Sequence, residues 1–173
     1  MYKNSLGQLV GAPVDNWCAR PLPPFTPIDG VYCRLEVLNS ERHAKQLYQA
    51  NQKDKEGQIW GYLPYGPYDN FEEYNNWVTA VSDNPDPQFF AIIEKASNLA
   101  VGVASYLRVS PQAGTIEVGH INYSPALQKS IVATEAMYLL MRRTFEELGY
   151  RRYEWKCNAL NEGSKKAAER LGF

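Results

Sequence analysis

The chain has 173 residues, a formal net charge of −1 and 45% hydrophobic residues. This length and composition are sufficient for a globular domain with a buried core. The balanced charge lacks the basic excess typical of proteins that bind nucleic acid or membrane surfaces, so neither partner is expected. The three cysteines are widely spaced and form no CxxC pair, which argues against a disulfide framework and a metal site. No apolar run is long enough to span a bilayer, and a cytoplasmic protein is expected.

The first elements are an extended arm, a strand and a helix. Residues 1–30 are rich in proline, which fixes φ and removes backbone donors, so they predict an extended arm over the domain surface. Residues 31–173 are expected to form a single domain. Alternating apolar residues predict a strand over 31–38. A cap at Asn39 or Ser40 and a helical apolar stripe predict the helix that follows.

The middle of the chain combines a loop, a helix and three strands. Residues 56–70 form a loop rich in Gly, Pro and aromatic side chains. Helical spacing returns over 71–84. Two strands at 88–95 and 99–110 are predicted to form a hairpin, and a third strand follows at 115–123.

The last three elements are a long helix, a strand and a shorter helix. The long helix is predicted to begin at Ser130 or Thr134 and to end at Leu148. A strand follows over 150–157, and Asn161 caps the final helix. The order is β-α-α-β-β-β-α-β-α. It predicts a mixed α/β fold with an antiparallel meander, a parallel pair at the β-α-β crossover, and flanking helices.

Three stretches of the sequence carry a family resemblance. The first, GTIEVGHINYSPALQKSIVATEAM, joins the third strand of the meander to the long helix. The second is LGYRRYEWKCNALN, and the third is NEGSKKAAERLGF, an Asn-x-x-Ser followed by a helix that ends in Leu-Gly-Phe. Together with the element order they resemble the GNAT superfamily of acetyl-CoA-dependent N-acetyltransferases. Within it they are most similar to the Rim-type group, which includes ribosomal-protein alanine acetyltransferases.

The resemblance implies a site for the pyrophosphate of coenzyme A at the start of the long helix. The family pattern there is Gln/Arg-x-x-Gly-x-Gly/Ala, in which Ile131 stands in place of the middle glycine. Backbone N–H groups at a helix N-terminus bind phosphate without side chains, and a β-branched residue disfavours positive φ. The alternative is a plain helix cap. The cofactor-binding residues implied at this junction are Gln128, Lys129, Ser130, Ile131, Val132, Ala133 and Thr134.

The strand before the junction is implied to splay from its neighbour and to present a free edge to the pantetheine arm. That edge would be formed by Ile121, Asn122 and Tyr123. Gly119 is the expected position of the bulge that causes the splay, since glycine within a strand often marks a bulge. From the final helix, Asn161 is implied to cap the helix, and Asn161 and Ser164 are implied to contact the cofactor.

The catalytic candidates are Glu117, His120 and Ser164. Acetylation of an amine needs a base for the ammonium proton. Glu117 and His120 face opposite sides of an ideal strand, but a bulge between them changes this parity, so spacing does not decide between them. The resemblance ranks Glu117 first. Its alternative role is an ion-pair partner, and that of His120 is a core imidazole. The final helix lacks the Tyr that many family members use to protonate the thiolate, so the resemblance assigns this role to Ser164, whose alternative is capping.

The acceptor side is implied to lie against the aromatic loop, although its rings suit a core equally well. The expected substrate-binding residues are Trp60, Tyr62, Tyr65, Tyr68 and Phe71. The resemblance implies transfer of acetyl from acetyl-CoA to a primary amine, either a peptide N-terminus or a small amine, by direct attack and without a metal.

The sequence also departs from the family pattern. The family continues after Leu-Gly-Phe with two further strands, which this sequence lacks. Three alternatives are therefore open: the sequence is part of a longer chain, a second copy in a homodimer supplies strands, or the protein lacks them. A catalytically weak acyl-CoA-binding or partner-binding module is the second interpretation of function.

Overall fold

The computed structural model describes residues 1–173 and contains two sheets. A small hairpin pairs β1 (Tyr2–Lys3) with β2 (Leu9–Val10). The main sheet has six strands in chain order, with antiparallel neighbours throughout except for the last pair, which is parallel. Its strands are β3 (Ile28–Asp29), β4 (Cys33–Val37), β5 (Gln88–Glu94), β6 (Leu99–Ser110), β7 (Thr115–Tyr123) and β8 (Arg152–Trp155). The mixed α/β fold and its parallel final pair are confirmed.

Four helices flank the main sheet, and two of them adjoin a π-helical turn, one at its start and one at its end. They are α1 (Lys45–Asn51), preceded by the π turn Ser40–Ala44; α2 (Phe71–Val81); α3 (Ile131–Arg142), followed by the π turn Arg143–Glu147; and α4 (Glu162–Leu171). A short 3-10 turn, Gln58–Trp60, lies in the aromatic loop. The side chains of Asn39, Ser130 and Asn161 accept hydrogen bonds from backbone N–H groups of the first helical turns, as capping residues do. None of these helices is both long and apolar enough to cross a membrane.

The sheet buries both of its faces. One face packs against α3 through residues such as Phe90, Ile116 and Leu140. The opposite face packs against α1, α2 and the aromatic loop through residues such as Ala91 and Val78. Because β5 is covered on both sides, its residues are buried in succession rather than in alternation.

The proline-rich segment is extended and held by its backbone carbonyls. The guanidinium of Arg143 donates to the carbonyl oxygens of Thr26 and Pro27, and the Tyr150 hydroxyl donates to the carbonyl of Pro21. Proline residues lack an N–H but keep this acceptor. In the same segment, the backbone N–H of Arg20 donates to the carbonyl of Pro111. The sequence prediction missed the three short strands β1, β2 and β3. Each has only two residues, too few to show an alternating pattern.

Candidate active site

A cavity of about 800 Å³ opens where β7 and β8 stop pairing. The two strands run in parallel register from Thr115 opposite Arg152 to Val118 opposite Trp155, and the ladder ends there. The cavity is lined by the diverging ends of the two strands, the first turn of α3, one side of α4, and part of the aromatic loop. A wedge of this kind exposes one backbone edge of β7, because only β6 pairs with that part of the strand.

A bulge in β7 lies beside the point of divergence. Gly119 pairs with Ser105 and Asn122 pairs with Val103, so two residues, His120 and Ile121, lie opposite the single residue Ala104. His120 adopts a left-handed backbone with φ of +50°. The predicted bulge at Gly119 was therefore wrong by one residue, since Gly119 itself keeps its place in the ladder.

The bulge brings His120 and Glu117 to the same face of the sheet. Glu117 lies between Ile116 and Val118, which belong to the core on the α3 side, so Glu117 faces the α2 side. The extra residue turns His120 to that side too, where its ring stacks on Tyr65 at 5.6 Å between centroids. Spacing alone could not decide this arrangement.

His120 lines the cavity, and its Nδ1 atom is buried without a hydrogen-bond partner in the chain. Burial lowers the pKa of His120 below its ordinary value of 6.5, and the positive charge of Arg108 lowers it further, while Glu117 opposes the shift. The imidazole is thus neutral at neutral pH. A neutral imidazole facing a cavity can accept a proton.

Glu117 does not line this cavity. Its buried carboxylate accepts from Nη1 of Arg108 at 2.6 Å and from Nζ of Lys156 at 2.5 Å. Glu117 therefore makes the ion pairs that were considered as the alternative to its catalytic role. Lys156 also contacts Glu154 at 2.7 Å, so the three side chains tie β8 to β7 at the end of their ladder.

Ser164 lines the cavity from the first turn of α4. Its backbone N–H donates to Oδ1 of Asn161 at 3.0 Å, which is the helix cap. Its hydroxyl takes no part in that cap and instead accepts from Nε1 of Trp155 at 2.9 Å. The hydroxyl proton is therefore left for a group in the cavity. Asn161 caps the helix as predicted, and it also lines the cavity.

The first turn of α3 presents unpaired backbone donors. Within the chain, the N–H groups of Ser130, Ile131 and Val132 have no acceptor, whereas that of Ala133 donates to Oγ of Ser130. The left-handed residue of this turn is Lys129, with φ of +56°, so Ile131 is not required to hold positive φ. Such a helix N-terminus stabilises anions through its N–H groups and dipole.

The predicted cofactor residues divide between the cavity and the core. Ile121, Tyr123, Gln128, Lys129, Ser130, Ala133 and Thr134 line the cavity. Val132 belongs to the core, and Ile131 points to solvent, so neither side chain faces the cavity. Asn122 is buried, and its side chain likewise does not line the cavity. For these three residues only the backbone is left as a cofactor contact.

Four basic side chains line the cavity, and no Asp or Glu does. They are Lys129, Lys156, Lys166 and Arg170. Nη1 of Arg170 donates to Oγ1 of Thr134 at 2.9 Å, which places its guanidinium beside the first turn of α3. The charges of Arg170 and Lys129 and the free N–H groups therefore lie at the same end of the cavity.

The aromatic loop divides between this cavity and a second one. Of the five predicted acceptor residues, only Tyr62 lines the large cavity, together with Ile59 and Leu63 of the same loop. Trp60 and Tyr68 face the second cavity instead. Tyr65 stacks behind His120, and Phe71 packs on Tyr48 at the surface of α2. The structure therefore does not bring the five predicted residues to one wall, because Trp60, Tyr65, Tyr68 and Phe71 do not line the large cavity.

The sequence matches the family described as Acetyltransferase (GNAT) domain over residues 34–173. The chain belongs to the GNAT acetyltransferase family. A solved structure of a GCN5-related N-acetyltransferase from Brucella melitensis has a TM-score of 0.90 and 39% identity, over 92% of this chain and 72% of that chain. A comparison with curated protein sequences finds no match.

Two further structures define how far this likeness extends. A probable acetyltransferase of the GNAT family from Chromobacterium violaceum has a TM-score of 0.86 and 34% identity, over 96% of this chain and 82% of that chain. RimL, an acetyltransferase of a ribosomal protein solved with coenzyme A, has a TM-score of 0.71 at 20% identity, over 85% of this chain and 83% of that chain. At that identity the likeness to RimL is one of fold. The protein is an acetyl-transferring enzyme that uses an acyl-CoA.

The residues of this GNAT enzyme fit the chemistry of coenzyme A. Unpaired N–H groups, Lys129 and Arg170 lie at one end of the cavity, as a diphosphate requires, and the exposed edge of β7 suits an amide-bearing arm. No group of three or more His, Cys, Asp and Glu side chains is close enough to hold a metal ion.

Trp155, Lys156 and Arg170 are residues at the site of the GNAT enzyme that were not predicted from the sequence. For Arg170, the helical spacing of α4 could have predicted its position. Steps of three and four residues along α4 from Gly163 give Lys166, Ala167 and Arg170, all of which line the cavity. The contact from Trp155 to Ser164 joins β8 to α4, and no local pattern reports it.

Proposed function

We propose that this protein transfers the acetyl group of acetyl-CoA to a primary amine by direct attack. The observation that carries the proposal is the wedge between β7 and β8, which has His120 on one wall and Ser164 on the other. A basic group and a hydroxyl donor across one cavity supply the two proton transfers that the reaction needs.

The cofactor is proposed to be held at both ends of the cavity. The N–H groups of Ser130, Ile131 and Val132, with Lys129 and Arg170, would bind the diphosphate. Asn161 would donate from its amide nitrogen to a carbonyl of the pantetheine arm, because only its oxygen is used by the helix cap. When bound, the cofactor supplies an acetyl group activated as a thioester.

His120 is proposed as the base. Its side chain lines the cavity, and its pKa is lowered, so the ring is neutral when an ammonium enters the cavity. Glu117 is proposed to act on His120 through its charge. Its own oxygens are held by Arg108 and Lys156.

Ser164 is proposed to protonate the departing thiolate. The indole of Trp155 donates to its oxygen, which directs the hydroxyl proton away from Trp155. A hydroxyl with one lone pair occupied remains a donor, so Oγ can give its proton to a sulfur in the cavity.

The acceptor is proposed to be a peptide N-terminus or a small amine with a single positive charge. Ile59, Tyr62 and Leu63 of the aromatic loop line the cavity, and no carboxylate lines it to offset a second ammonium. The Tyr62 hydroxyl donates to the carbonyl of Leu160 at 3.1 Å, which joins the aromatic loop to the β8–α4 connection across the cavity. This contact would limit the width of the acceptor.

We also propose how the domain is organised and how two copies of the chain could associate. Residues 31–173 would act as the single catalytic domain, and the arm 1–30 would support it through contacts such as Arg143 to Thr26. The outer edge of β8 is unpaired and offers its backbone to a second copy of the chain. A mass of one chain at every concentration in light scattering would rule out that dimer.

The test mixes the protein with acetyl-CoA and a panel of amines, and follows thiol release. The panel contains peptides with neutral, acidic and basic N-terminal residues, monoamines and a polyamine. Turnover of a peptide or monoamine above that of the polyamine is expected. Binding of coenzyme A without turnover of any acceptor would overturn the proposal in favour of a binding module, and preference for the polyamine would overturn the acceptor class.

A further inference from the structure

A second cavity of about 230 Å³ lies on the other side of the aromatic loop. It is formed by α1, the connection after it, the loop and α2, and it shares no residue with the large cavity. Trp60 and Tyr68 face it, whereas Tyr62 of the same loop faces the large cavity. The two cavities are therefore separated by one segment of chain, and the second has no part in the acetyl transfer proposed above.

The second cavity contains buried polar atoms that have no partner in the chain. Asn51 is only 5% exposed, yet both its amide nitrogen and its amide oxygen lack a hydrogen bond. The hydroxyl of Tyr68 lacks one too. Burial raises the pKa of Tyr74, whereas its buried hydroxyl lies close enough to the Asn51 side chain for Asn51 to lower that pKa. A buried amide without partners costs free energy, so the Asn51 side chain calls for a partner from outside the chain.

The apolar part of the cavity is a set of aromatic rings. Tyr74 lies within 5.4 to 6.4 Å of the ring centroids of Tyr48, Trp60 and Tyr68, mostly edge to face. All four of these aromatic residues line the cavity. Faces of Tyr and Trp attract organic cations.

Charge at the rim of the cavity also favours a cation. Asp54 and Glu56 line it together with Lys55, which leaves a net negative charge of one. Oδ2 of Asp54 accepts from the backbone of Ile59, and one oxygen of Glu56 accepts from Gln58, so each carboxylate has a second oxygen that is not engaged.

We propose that this second cavity binds a small amino alcohol, that is, an organic ammonium that carries a hydroxyl. The ammonium lies among the rings of Tyr48, Trp60 and Tyr74 and near the two carboxylates. The hydroxyl of the ligand forms hydrogen bonds with the amide of Asn51: it accepts from the nitrogen and donates to the oxygen. A ligand with only the ammonium would leave the Asn51 amide without a partner, and a ligand with only the hydroxyl would leave the carboxylates without one.

Choline is the probe. Two analogues are the controls, one without the positive charge and one without the hydroxyl. Dimethylbutanol is its neutral carbon isostere, and tetramethylammonium keeps the charge but has no hydroxyl. We expect choline to bind the full chain about tenfold more tightly than either analogue, by calorimetry and by saturation-transfer NMR. Equal affinity for choline and dimethylbutanol, or no binding of choline, would overturn the proposal, and water would then be the partner of Asn51.

Variants assign the binding to this cavity. Glu56→Gln removes one exposed charge at its rim and is expected to weaken choline severalfold, while Glu146→Gln removes an exposed charge elsewhere and should leave affinity unchanged. Asn51→Leu is expected to abolish binding while the melting temperature stays the same or rises, because an unpartnered amide is removed. Binding that survives in a folded Asn51→Leu protein would contradict the proposal. None of these outcomes depends on acetyl transfer.

Discussion

The indole Nε1 of Trp155 donates to Oγ of Ser164 at 2.9 Å, and this bond links the last strand of the sheet to the last helix. Trp155 is also the final residue of β8 that pairs with β7. The point at which the sheet opens is thereby tied to the hydroxyl that faces the opening. A change at Trp155 should consequently act on the chemistry of Ser164.

Substitution of Ser164 separates chemistry from binding. Ser164→Ala is expected to lower kcat about 100-fold, because a proton donor in the transition state contributes about that much, and to leave coenzyme A affinity unchanged. Trp155→Phe keeps a ring but removes the directing N–H, so a smaller loss of kcat is expected. Steady-state thiol release and calorimetric titration measure the two quantities. An unchanged kcat in Ser164→Ala would remove Ser164 from the mechanism.

The pH dependence of kcat/KM should report His120. The ring is active when neutral and its pKa is lowered, so activity should rise as pH increases through a midpoint below 6.5. His120→Gln is expected to lower kcat about 100-fold and to abolish this acid limb. The profile is measured with a single acceptor over the range in which the protein stays folded.

Two neighbouring charges should move that midpoint in opposite directions. Arg108 lowers the pKa of His120, so Arg108→Asn should shift the midpoint upward; Asn also tolerates the left-handed backbone at this position, where φ is +48°. Glu117 raises the same pKa, so Glu117→Gln should shift the midpoint downward. If neither substitution changes the pH midpoint of kcat/KM, another group is responsible for the acid limb.

A proline at position 131 tests the backbone N–H as a phosphate ligand. Ile131 is the first residue of α3, where proline is tolerated, and Ser130 before it is extended with ψ of 162°. Ile131→Pro therefore removes one free N–H and keeps the helix. We expect coenzyme A affinity to fall at least about tenfold, since a hydrogen bond to a charged group is lost. Ile131→Ala keeps the N–H and serves as the control; equal affinity of both variants would contradict the assignment.

The carboxylate of Glu135 should make stability depend on acid pH. It accepts from the backbone N–H groups of Val31, Tyr32 and Cys33, each at 2.7 Å. Although burial raises its pKa, these bonds lower it more, so the pKa of Glu135 lies below its ordinary value of 4.5. The contribution of this carboxylate to stability is complete above pH 4.5 and is lost as pH falls through the lowered pKa.

Glu135→Gln should therefore lower the free energy of unfolding by about 2 kcal/mol at neutral pH. The difference from the natural chain should shrink as the pH falls below 4.5. Denaturant unfolding at several pH values measures this, with the exposed Glu146→Gln as the control. A difference that stays constant down to low pH would show that the charge of Glu135 is not responsible.

Local patterns in the sequence predicted the parts of this fold that depend on local chemistry. Asn39, Ser130 and Asn161 cap their helices because each side chain needs only the next three N–H groups. The bulge at His120 depends on the register with β6, in which Ala104 faces two residues, and sequence spacing along β7 alone does not contain that register.

The aromatic loop shows the same limit in the site. Trp60 and Tyr62 are two residues apart, yet they face different cavities, since an irregular loop has no period that assigns its side chains to a side. Glu117 illustrates another case. Its position on β7 was predicted, but its partners Arg108 and Lys156 come from neighbouring segments of the sheet, and only the assembled strands show that its oxygens are engaged.

The most direct test of the central claim uses acetyl-CoA labelled with ¹³C in its acetyl group. The protein is incubated with this cofactor and a peptide or monoamine acceptor, and the products are analysed by mass spectrometry together with the released thiol. The account predicts labelled amide on the acceptor in equal amount to thiol, and little of either with His120→Gln. Thiol release without labelled amide, or full activity of His120→Gln, would contradict it.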